Sequence, residues 1–268
     1  MPLGSLKTRW DYSRWLWSMG ASPHDSLELV AAYNSRLLRR RLGLLGVRPT
    51  TARLRTGGTP LPFRFCSASD FTVLGEVFRE RQYELSGGLP APRTILDLGA
   101  NTGLSALFFH SRFPDATIYA VEAHPGTFAL LEQNAALWQG VHPLHLAAAG
   151  SNGTVEFYGT ADESISSSLF QRRQTDRKVQ VPSEDLGTLL ERCGGSIDLL
   201  KFDIEGAEFE LFSRFSHWDR IGVMIGEIHP DLYGGTAEQF FALFPRHSHQ
   251  IVTRFGQRLV ARFDPKRE

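Results

Sequence analysis

The sequence has few cysteines, no excess of either charge and no long apolar run. Cys66 and Cys193 are the only cysteines among 268 residues, which argues against a disulfide framework and fits a reducing compartment. Lys plus Arg and Asp plus Glu number 29 each, so the totals give no reason to expect binding to nucleic acid. No apolar run approaches the ~18 residues that span a bilayer, and the N-terminus does not resemble a signal peptide. We therefore expect a cytoplasmic protein without a membrane span.

A glycine-containing turn at residues 97–103 (Asp-Leu-Gly-Ala-Asn-Thr-Gly) lies between an apolar run and a helix-like segment. Such a turn lets a small charged ligand approach the backbone at the start of a helix. A dinucleotide-binding fingerprint would need glycines where this turn has Asn101 and Leu104. A phosphate-binding loop would need a lysine after Gly103, and the chain has none there. Both absences exclude the usual loops for nucleotide phosphates.

A second acid, Glu122, ends the next strand-like run. An ionised carboxylate can accept a pair of hydrogen bonds from the hydroxyls of a ribose. The expected ligand therefore contains a ribose but no phosphates. S-adenosylmethionine is the leading candidate for this cofactor, with S-adenosylhomocysteine as its product. We expect Asp97 to face the cationic methionine end, directly or through backbone and water. The predicted cofactor-binding residues are Asp97, Gly99, Ala100, Asn101, Gly103, Glu122 and Asp203.

Residues 91–268 alternate between strand-like and helix-like segments. The strand-like runs lie near residues 94–97, 117–121, 143–147, 197–202 and 221–227, and the helix-like segments near 103–112, 126–138 and 236–244. This alternation predicts an α/β fold with a doubly wound, mostly parallel sheet.

Two further β segments are predicted in this part of the chain. Residues 153–182 indicate an inserted hairpin or small meander, joined by the polar residues 164–168 and followed by a helix at 183–192. Residues 249–255 and 258–263 predict a closing antiparallel hairpin.

Residues 1–90 differ from the rest and predict an N-terminal extension. Its spacing favours an amphipathic helix from residue 25, a β-hairpin at 51–56 and 61–66, and a helix at 70–83. We expect this extension either to cover the cleft that takes the second substrate or to form a homodimer contact.

Charged residues also follow two later strands of the predicted sheet. Asp203 and Glu205 come after residues 197–202, and Glu227 and His229 come after residues 221–226. In an open α/β sheet, ligands bind outside the carboxyl ends of the strands. Lys201 lies inside an apolar strand, so we expect it to pair with a buried acid. Glu208 is interpreted as a first-turn acid that complements a helix dipole.

Three segments taken together resemble the FkbM family of class I S-adenosylmethionine-dependent methyltransferases. They are residues 97–103, 121–125 (Val-Glu-Ala-His-Pro) and 200–208 (Leu-Lys-Phe-Asp-Ile-Glu-Gly-Ala-Glu). The resemblance reaches upstream to Glu76-Val77-Phe78 with Tyr83, and downstream to Glu227-Ile228-His229. It implies a Rossmann-like fold and O-methylation of a small-molecule hydroxyl, on a sugar, a polyketide or another secondary metabolite. Ala123 stands where the family often has proline. The first fifty residues resemble no part of the family from which a role could be carried over.

The predicted chemistry follows from the donor, whose sulfonium methyl is already activated. The protein has to hold an acceptor oxygen in line with that methyl and remove or weaken the hydroxyl proton. We expect His229 or Asp203 to act as general base, with Glu205 and Glu227 orienting the acceptor or the histidine. As an alternative, the same four residues offer the oxygen-rich set that magnesium prefers. No spacing is diagnostic of a metal, so the metal-free version is expected.

Two other classes of protein are weighed against this enzyme. A non-catalytic S-adenosylmethionine-binding protein would leave the acids after the later strands idle, and Asp203, Glu205 and Glu227 are all present. An RNA methyltransferase would be expected to carry a basic, aromatic-rich surface. The chain also lacks the Asn/Asp-Pro-Pro-aromatic signature of amide or base N-methylation in this fold.

Overall fold

The computed structural model describes residues 6–41, 49–85, 90–160, 163–168, 177–256 and 258–266. The helices are α1 (Leu6–Met19), α2 (Pro23–Arg41), α3 (Ala68–Leu74), α4 (Leu104–Arg112), α5 (Pro125–Ala135), α6 (Leu186–Arg192), α7 (Glu208–Ser213), α8 (Pro230–Tyr233) and α9 (Ala237–Phe241). The strands are β1 (Thr50–Leu54), β2 (Leu61–Phe65), β3 (Thr94–Leu98), β4 (Thr117–Glu122), β5 (Val141–His145), β6 (Ala147–Ala148), β7 (Gly153–Thr160), β8 (Glu163–Ser168), β9 (Arg177–Glu184), β10 (Ile197–Phe202), β11 (Ile221–Ile228), β12 (His247–Phe255) and β13 (Arg258–Pro265).

The central sheet has seven strands in the order β12-β13-β11-β10-β3-β4-β5. The five strands from β11 to β5 are parallel, while β13 pairs antiparallel with both β11 and β12. The strand order reverses beside β3, so β3 and β10 lie at the switch point of the sheet, where ligands of open α/β folds bind. The predicted doubly wound, mostly parallel, Rossmann-like sheet with a closing hairpin is confirmed.

The insertion forms a second sheet of four strands, in the order β6-β9-β7-β8. Residues 164–168 were expected to be a polar connection, and this expectation is wrong. They lie in β8, which pairs antiparallel with β7 through Tyr158 opposite Ser168 and Thr160 opposite Glu163. The helix expected at 183–192 begins later, at Leu186, because residues up to Glu184 pair in β9 and Asp185 caps the helix through the Thr188 N–H.

The N-terminal extension contains the predicted hairpin, as β1 and β2 pair antiparallel. Two helices precede it, and α3 begins at a capping box in which Ser67 and Asp70 each accept a backbone N–H. The helix expected over residues 70–83 ends at Arg79, and its last turn, Gly75–Arg79, is π-helical. Such a turn widens the helix locally and is frequent at functional sites.

The core divides between the two faces of the central sheet. Successive residues of one strand point to opposite faces, so Ile95 joins one apolar cluster and Leu96 the other. The cluster that contains Ile95 also contains Leu16, Phe63 and Phe71 of the extension. The extension therefore packs on one face of the sheet and shares its core.

A search of the described helices for membrane spans gives a negative result. None of them combines the length and the apolar character needed to cross a bilayer.

Candidate active site

The turn after β3 is held in place by its two neighbouring strands. The backbone N–H groups of Gly99 and Ala100 both donate to the carbonyl oxygen of Val121, at 3.0 and 2.9 Å. Gly99 has φ of +73°, and a Cβ built there would lie 1.9 Å from the carbonyl oxygen of Asp203. Asn101 also has a positive φ, of +52°. The turn is therefore pressed so closely against the end of β10 that only glycine fits at position 99.

Glu122 ties the end of β4 to this turn. Its Oε2 accepts a hydrogen bond from the backbone N–H of Asn101 at 3.0 Å, and its Oε1 accepts one from His124 N–H at 2.8 Å. Burial raises the pKa of Glu122 to about 7, although these two donors act in the opposite direction. Each oxygen keeps a further lone pair for a ligand. Glu122 lines the cavity beside the turn, so it can accept hydrogen bonds from a bound molecule.

Asp97 and Lys201 form a buried ion pair under the turn. Their side chains are 0% and 2% exposed, and Lys201 Nζ lies 3.0 Å from Asp97 Oδ1. Lys201 Nζ also donates to the carbonyl oxygens of Leu98 and Gly99, at 3.1 and 2.8 Å. Ser105 Oγ donates to Asp97 Oδ2 at 2.6 Å. The expected pairing of Lys201 with a buried acid is confirmed.

This pair also shows where Asp97 can act. Its carboxylate is fully buried and is not among the residues that line the cavity, whereas Lys201 and Gly99 are. Gly103, at the start of α4, is likewise not among the lining residues, and a Cβ there would meet Leu131 and Trp138. Direct contact between Asp97 and a molecule in the cavity is therefore not supported, and the indirect form of the expectation, through Lys201 and the backbone of the turn, stays a prediction.

The cavity at the switch point is rich in acids. Its lining includes the turn residues Gly99, Ala100 and Asn101, and the acidic side chains Glu76, Glu122, Asp203, Glu205 and Glu227. The basic lining residues are Lys201 and Arg258. Lys201 is paired with Asp97, and Arg258 Nη2 lies 3.1 Å from Asp231 Oδ2. Even without Glu76, whose raised pKa of about 8 keeps it largely protonated at pH 7, the other four acids leave an excess of negative charge that suits a positively charged ligand.

His229 lies behind three of these carboxylates. Its Nε2 is 3.4 Å from Glu227 Oε1, 3.5 Å from Glu205 Oε2 and 3.9 Å from Asp203 Oδ1. The histidine is 1% exposed and does not line the cavity, whereas the Asp203 side chain is 27% exposed. The structure thus brings together His229, Asp203, Glu205 and Glu227, as the sequence predicted, and leaves Asp203 as the more accessible of the two candidate bases.

Glu208 contacts the other ring nitrogen of this histidine. Nδ1 of His229 lies 2.7 Å from Glu208 Oε1, and both side chains are buried. Glu208 is the first residue of α7, as expected, but its carboxylate faces His229 and not solvent. Burial lowers the pKa of His229, yet Glu208 and the other carboxylates outweigh burial and hold that pKa well above its ordinary value.

The wall opposite the sheet comes from the N-terminal extension. Val73, Glu76, Val77 and Tyr83 line the cavity. Burial raises the pKa of Glu76 to about 8, with Glu227 and then Asp203 adding to the effect. Tyr83 is buried, and its hydroxyl donates to Asp203 Oδ2 at 3.5 Å.

A metal ion has candidate ligands in the same cluster. Ligand atoms of Asp203, Glu205 and His229 all lie within 4.8 Å of one another. This spacing is compatible with one divalent cation bound by oxygen and imidazole ligands.

Some site residues were not predicted from the sequence. Glu76 and Tyr83 entered only through the family resemblance, without a role. The turn from Glu205 to Glu208 folds back under β11, and no pattern in the sequence indicates that return. Arg258 comes from the C-terminal hairpin, far along the chain from the other lining residues, and no local signal connects it to them.

Comparison with known proteins supports the same family. The model of a family described as Methyltransferase FkbM domain matches residues 97–257. The 31-O-demethyl-FK506 methyltransferase FkbM of Streptomyces tacrolimicus is 27% identical over 216 residues, which cover 66% of this chain and 80% of that protein. Methyltransferase sdnD of Sordaria araneosa is 27% identical over 190 residues, covering 58% of this chain and 73% of that protein.

A solved structure with the same family name also aligns with the chain. The crystal structure of methyltransferase FkbM from Methylobacillus flagellatus KT has a TM-score of 0.49 and 10% sequence identity, and the alignment covers 96% of this chain and 59% of that one. Because the family model alone spans more than half of the sequence, the chain belongs to the FkbM family of S-adenosylmethionine-dependent methyltransferases.

Proposed function

We propose that this protein methylates a hydroxyl group of a small molecule, such as a sugar, a polyketide or another secondary metabolite. The observation that carries the proposal is one cavity that joins the turn at Gly99, the carboxylate of Glu122 and the acids after β10 and β11. A relative whose name describes the O-methylation of an FK506 precursor supports a hydroxyl acceptor.

The residues around the turn fit S-adenosylmethionine. The cavity has more acidic than basic lining residues, which favours a cationic ligand. Glu122 keeps lone pairs that can accept hydrogen bonds from the two ribose hydroxyls. Gly99, Ala100 and Asn101 would hold the methionine part with their backbone, and Asp97 would act through Lys201. When bound, the cofactor supplies a methyl group on a positively charged sulfur. It leaves as S-adenosylhomocysteine.

Asp203 is our candidate for the group that takes the acceptor proton. Its side chain is 27% exposed and lines the cavity, and its buried Oδ1 atom faces His229 without a hydrogen-bond donor among the described residues. His229 lies behind Asp203, and its ring is also next to Glu205 and Glu227. This position supports a role for the ring in orienting the three carboxylates. The acceptor would then lie between these acids and the wall formed by Glu76 and Tyr83.

Methyl transfer can be tested directly with purified protein. With S-adenosylmethionine and a panel of glycosides and macrolides, we expect one acceptor to gain the mass of one methylene unit, and addition of a chelator to leave the rate unchanged. Loss of turnover with the chelator and recovery with magnesium would favour the metal-assisted version, for which the spacing of Asp203, Glu205 and His229 is the supporting observation. Cofactor binding without turnover on any acceptor would favour the non-catalytic alternative.

The role of Glu122 predicts both an affinity and its pH dependence. Glu122→Gln is expected to weaken S-adenosylmethionine binding roughly 10–100-fold, because a hydrogen bond to a charged group contributes about 1.5–3 kcal/mol. Since the pKa of Glu122 is raised to about 7, wild-type affinity should be full above pH 7. Below pH 7 protonation removes the carboxylate, and affinity should fall by at most about tenfold per pH unit.

Calorimetry with S-adenosylmethionine alone, between pH 5.5 and 8.5, measures this effect independently of any acceptor. The charged groups that face Glu122 are Lys201, which favours its ionised form, and Asp97, which opposes it. Glu132→Gln, at an exposed position of α5, is the matched control and should keep the wild-type profile. An unchanged pH profile in Glu122→Gln would contradict the ribose-binding role.

A further inference from the structure

We propose that Glu208 is a positioning residue that fixes the His229 ring so that its Nε2 faces the carboxylates of the cavity. The proposal rests on the proposed function, since it assigns a task to the histidine behind Asp203. The sequence does not indicate this role, because an acid at the start of α7 is ordinarily explained by its favourable interaction with the helix dipole. The contacts of the Glu208 carboxylate indicate a different role.

The backbone brings Glu208 under His229 by a left-handed turn. Glu205 has φ of +52° and Gly206 has φ of +104°. Two consecutive residues in this region reverse the chain directly after β10, and a non-glycine residue adopts it at an energetic cost. Because of this reversal, α7 begins beside the end of β11, where His229 follows the strand.

Both oxygens of Glu208 are used inside the protein. Oε2 accepts a hydrogen bond from the Gly206 N–H at 2.9 Å, and Oε1 accepts one from His229 Nδ1 at 2.7 Å. The side chain is 0% exposed. A fully buried carboxylate is costly unless it is hydrogen-bonded on both oxygens, as this one is. The Glu208 carboxylate is therefore not a solvent-exposed first-turn acid whose role is to interact with the dipole of α7.

The contact decides which ring nitrogen faces the carboxylates that line the cavity. An ionised carboxylate only accepts hydrogen bonds, so the proton of this contact belongs to Nδ1. With Nδ1 occupied by Glu208, Nε2 is the atom left for Glu227, Glu205 and Asp203, at 3.4, 3.5 and 3.9 Å. A carboxylate that holds the rear nitrogen of a histidine commonly sets the orientation and tautomer of the ring at a functional site.

The Glu208–His229 contact can be tested with the purified protein before an acceptor is known. Long-range proton–nitrogen NMR of the histidine rings should show a downfield Nδ1 proton for His229, identified by its loss in His229→Gln. In Glu208→Gln this proton should move upfield. Glu210→Gln, at a largely exposed position of the same helix that pairs with Arg214, is the matched control and should leave the signal in place. An Nδ1 signal that stays unchanged in Glu208→Gln overturns the proposal.

The functional consequence is measured with the acceptor that turns over in the methyl-transfer assay. Glu208→Gln should lower kcat on the order of 100-fold while the KM for S-adenosylmethionine stays within about threefold of wild type. In the His229→Gln background the same change should cause no further loss, because a positioning residue acts only through the ring. Glu208→Asp should recover part of the rate.

The outcomes separate this proposal from the proposed function. If His229→Gln binds S-adenosylmethionine and keeps full turnover, methyl transfer stands but the histidine has no part in it, which also refutes a role for Glu208 through the ring. If the wild-type protein turns over no acceptor, the proposed function fails, while the NMR test still decides whether Glu208 holds the ring. If His229→Gln is impaired but folded Glu208→Gln has a wild-type kcat, only the role of Glu208 is refuted. Losses that add independently in the double variant also refute it.

Discussion

Replacing Lys201 by methionine is expected to destabilise the protein by about 3–5 kcal/mol, because it leaves a buried carboxylate without its charged partner. Asp97 and Lys201 are 0% and 2% exposed and lie 3.0 Å apart. Without the ammonium group, the one side-chain hydrogen bond that Asp97 would retain within the described part of the chain is the one from Ser105 to its other oxygen. Methionine has a similar length and fills most of the space, so the loss reports on charge and hydrogen bonding more than on packing.

Denaturant unfolding measures this loss, and a second substitution identifies its cause. Adding Asp97→Asn to Lys201→Met should recover part of the stability, since the unpaired charge is removed. Lys266→Met is the control at an exposed lysine and should change stability by less than about 0.5 kcal/mol. A double variant less stable than Lys201→Met alone would contradict the explanation.

Gly99→Ala is expected to destabilise the protein by roughly 3 kcal/mol or more and to abolish S-adenosylmethionine binding. Two costs add at this position. The backbone has φ of +73°, which disfavours any side chain, and the new Cβ would lie 1.9 Å from the carbonyl oxygen of Asp203. Relief of this clash requires β3 and β10 to separate at their carboxyl ends, which would move the turn away from Glu122 and Asp203.

Gly57→Ala is a well-matched control for the backbone cost alone. Gly57 has φ of +97°, and no atom of the described residues lies within 4 Å of a Cβ built there. Its replacement should cost about 1 kcal/mol and leave S-adenosylmethionine affinity unchanged. Equal losses of stability in the two variants, measured by urea unfolding, would show that the close approach to Asp203 carries no additional cost.

Most of the central sheet could be predicted from the sequence because β3, β4, β10 and β11 are short, largely apolar runs with an acid in or just after their last residues. Asp97, Glu122, Asp203 and Glu227 mark four strand ends, and the topology of a doubly wound sheet brings such ends to one edge. The ion pair of Lys201 was also predictable, since a lysine inside an apolar strand needs a partner.

The parts that were not predictable depend on contacts between distant segments. The sequence 164–168 is polar enough for a loop, and its strand exists because β7 offers an edge to pair with. The partner of His229 was expected among Glu205 and Glu227, which follow strands, and was not expected at Glu208. Only the left-handed turn at Glu205 and Gly206 brings Glu208 to the ring. A left-handed turn of this kind produces no periodic pattern of residues from which it could be predicted.

The N-terminal extension and the central sheet supply different walls of the cavity. Residues 73–83 form one side, while Gly99, Glu122 and Asp203 form the side that the sheet supplies. The π-helical turn that carries Glu76 packs against α1, since a Cβ at Gly75 would meet the Tyr12 hydroxyl oxygen at 3.1 Å. Substitutions in α1 and in the π-helical turn can thus reshape one wall without altering the glycine turn. Exchanging the whole extension would reach further, because Thr102 Oγ1 in the glycine turn donates to Asp70 Oδ1 at 3.1 Å and the extension and the sheet share one core.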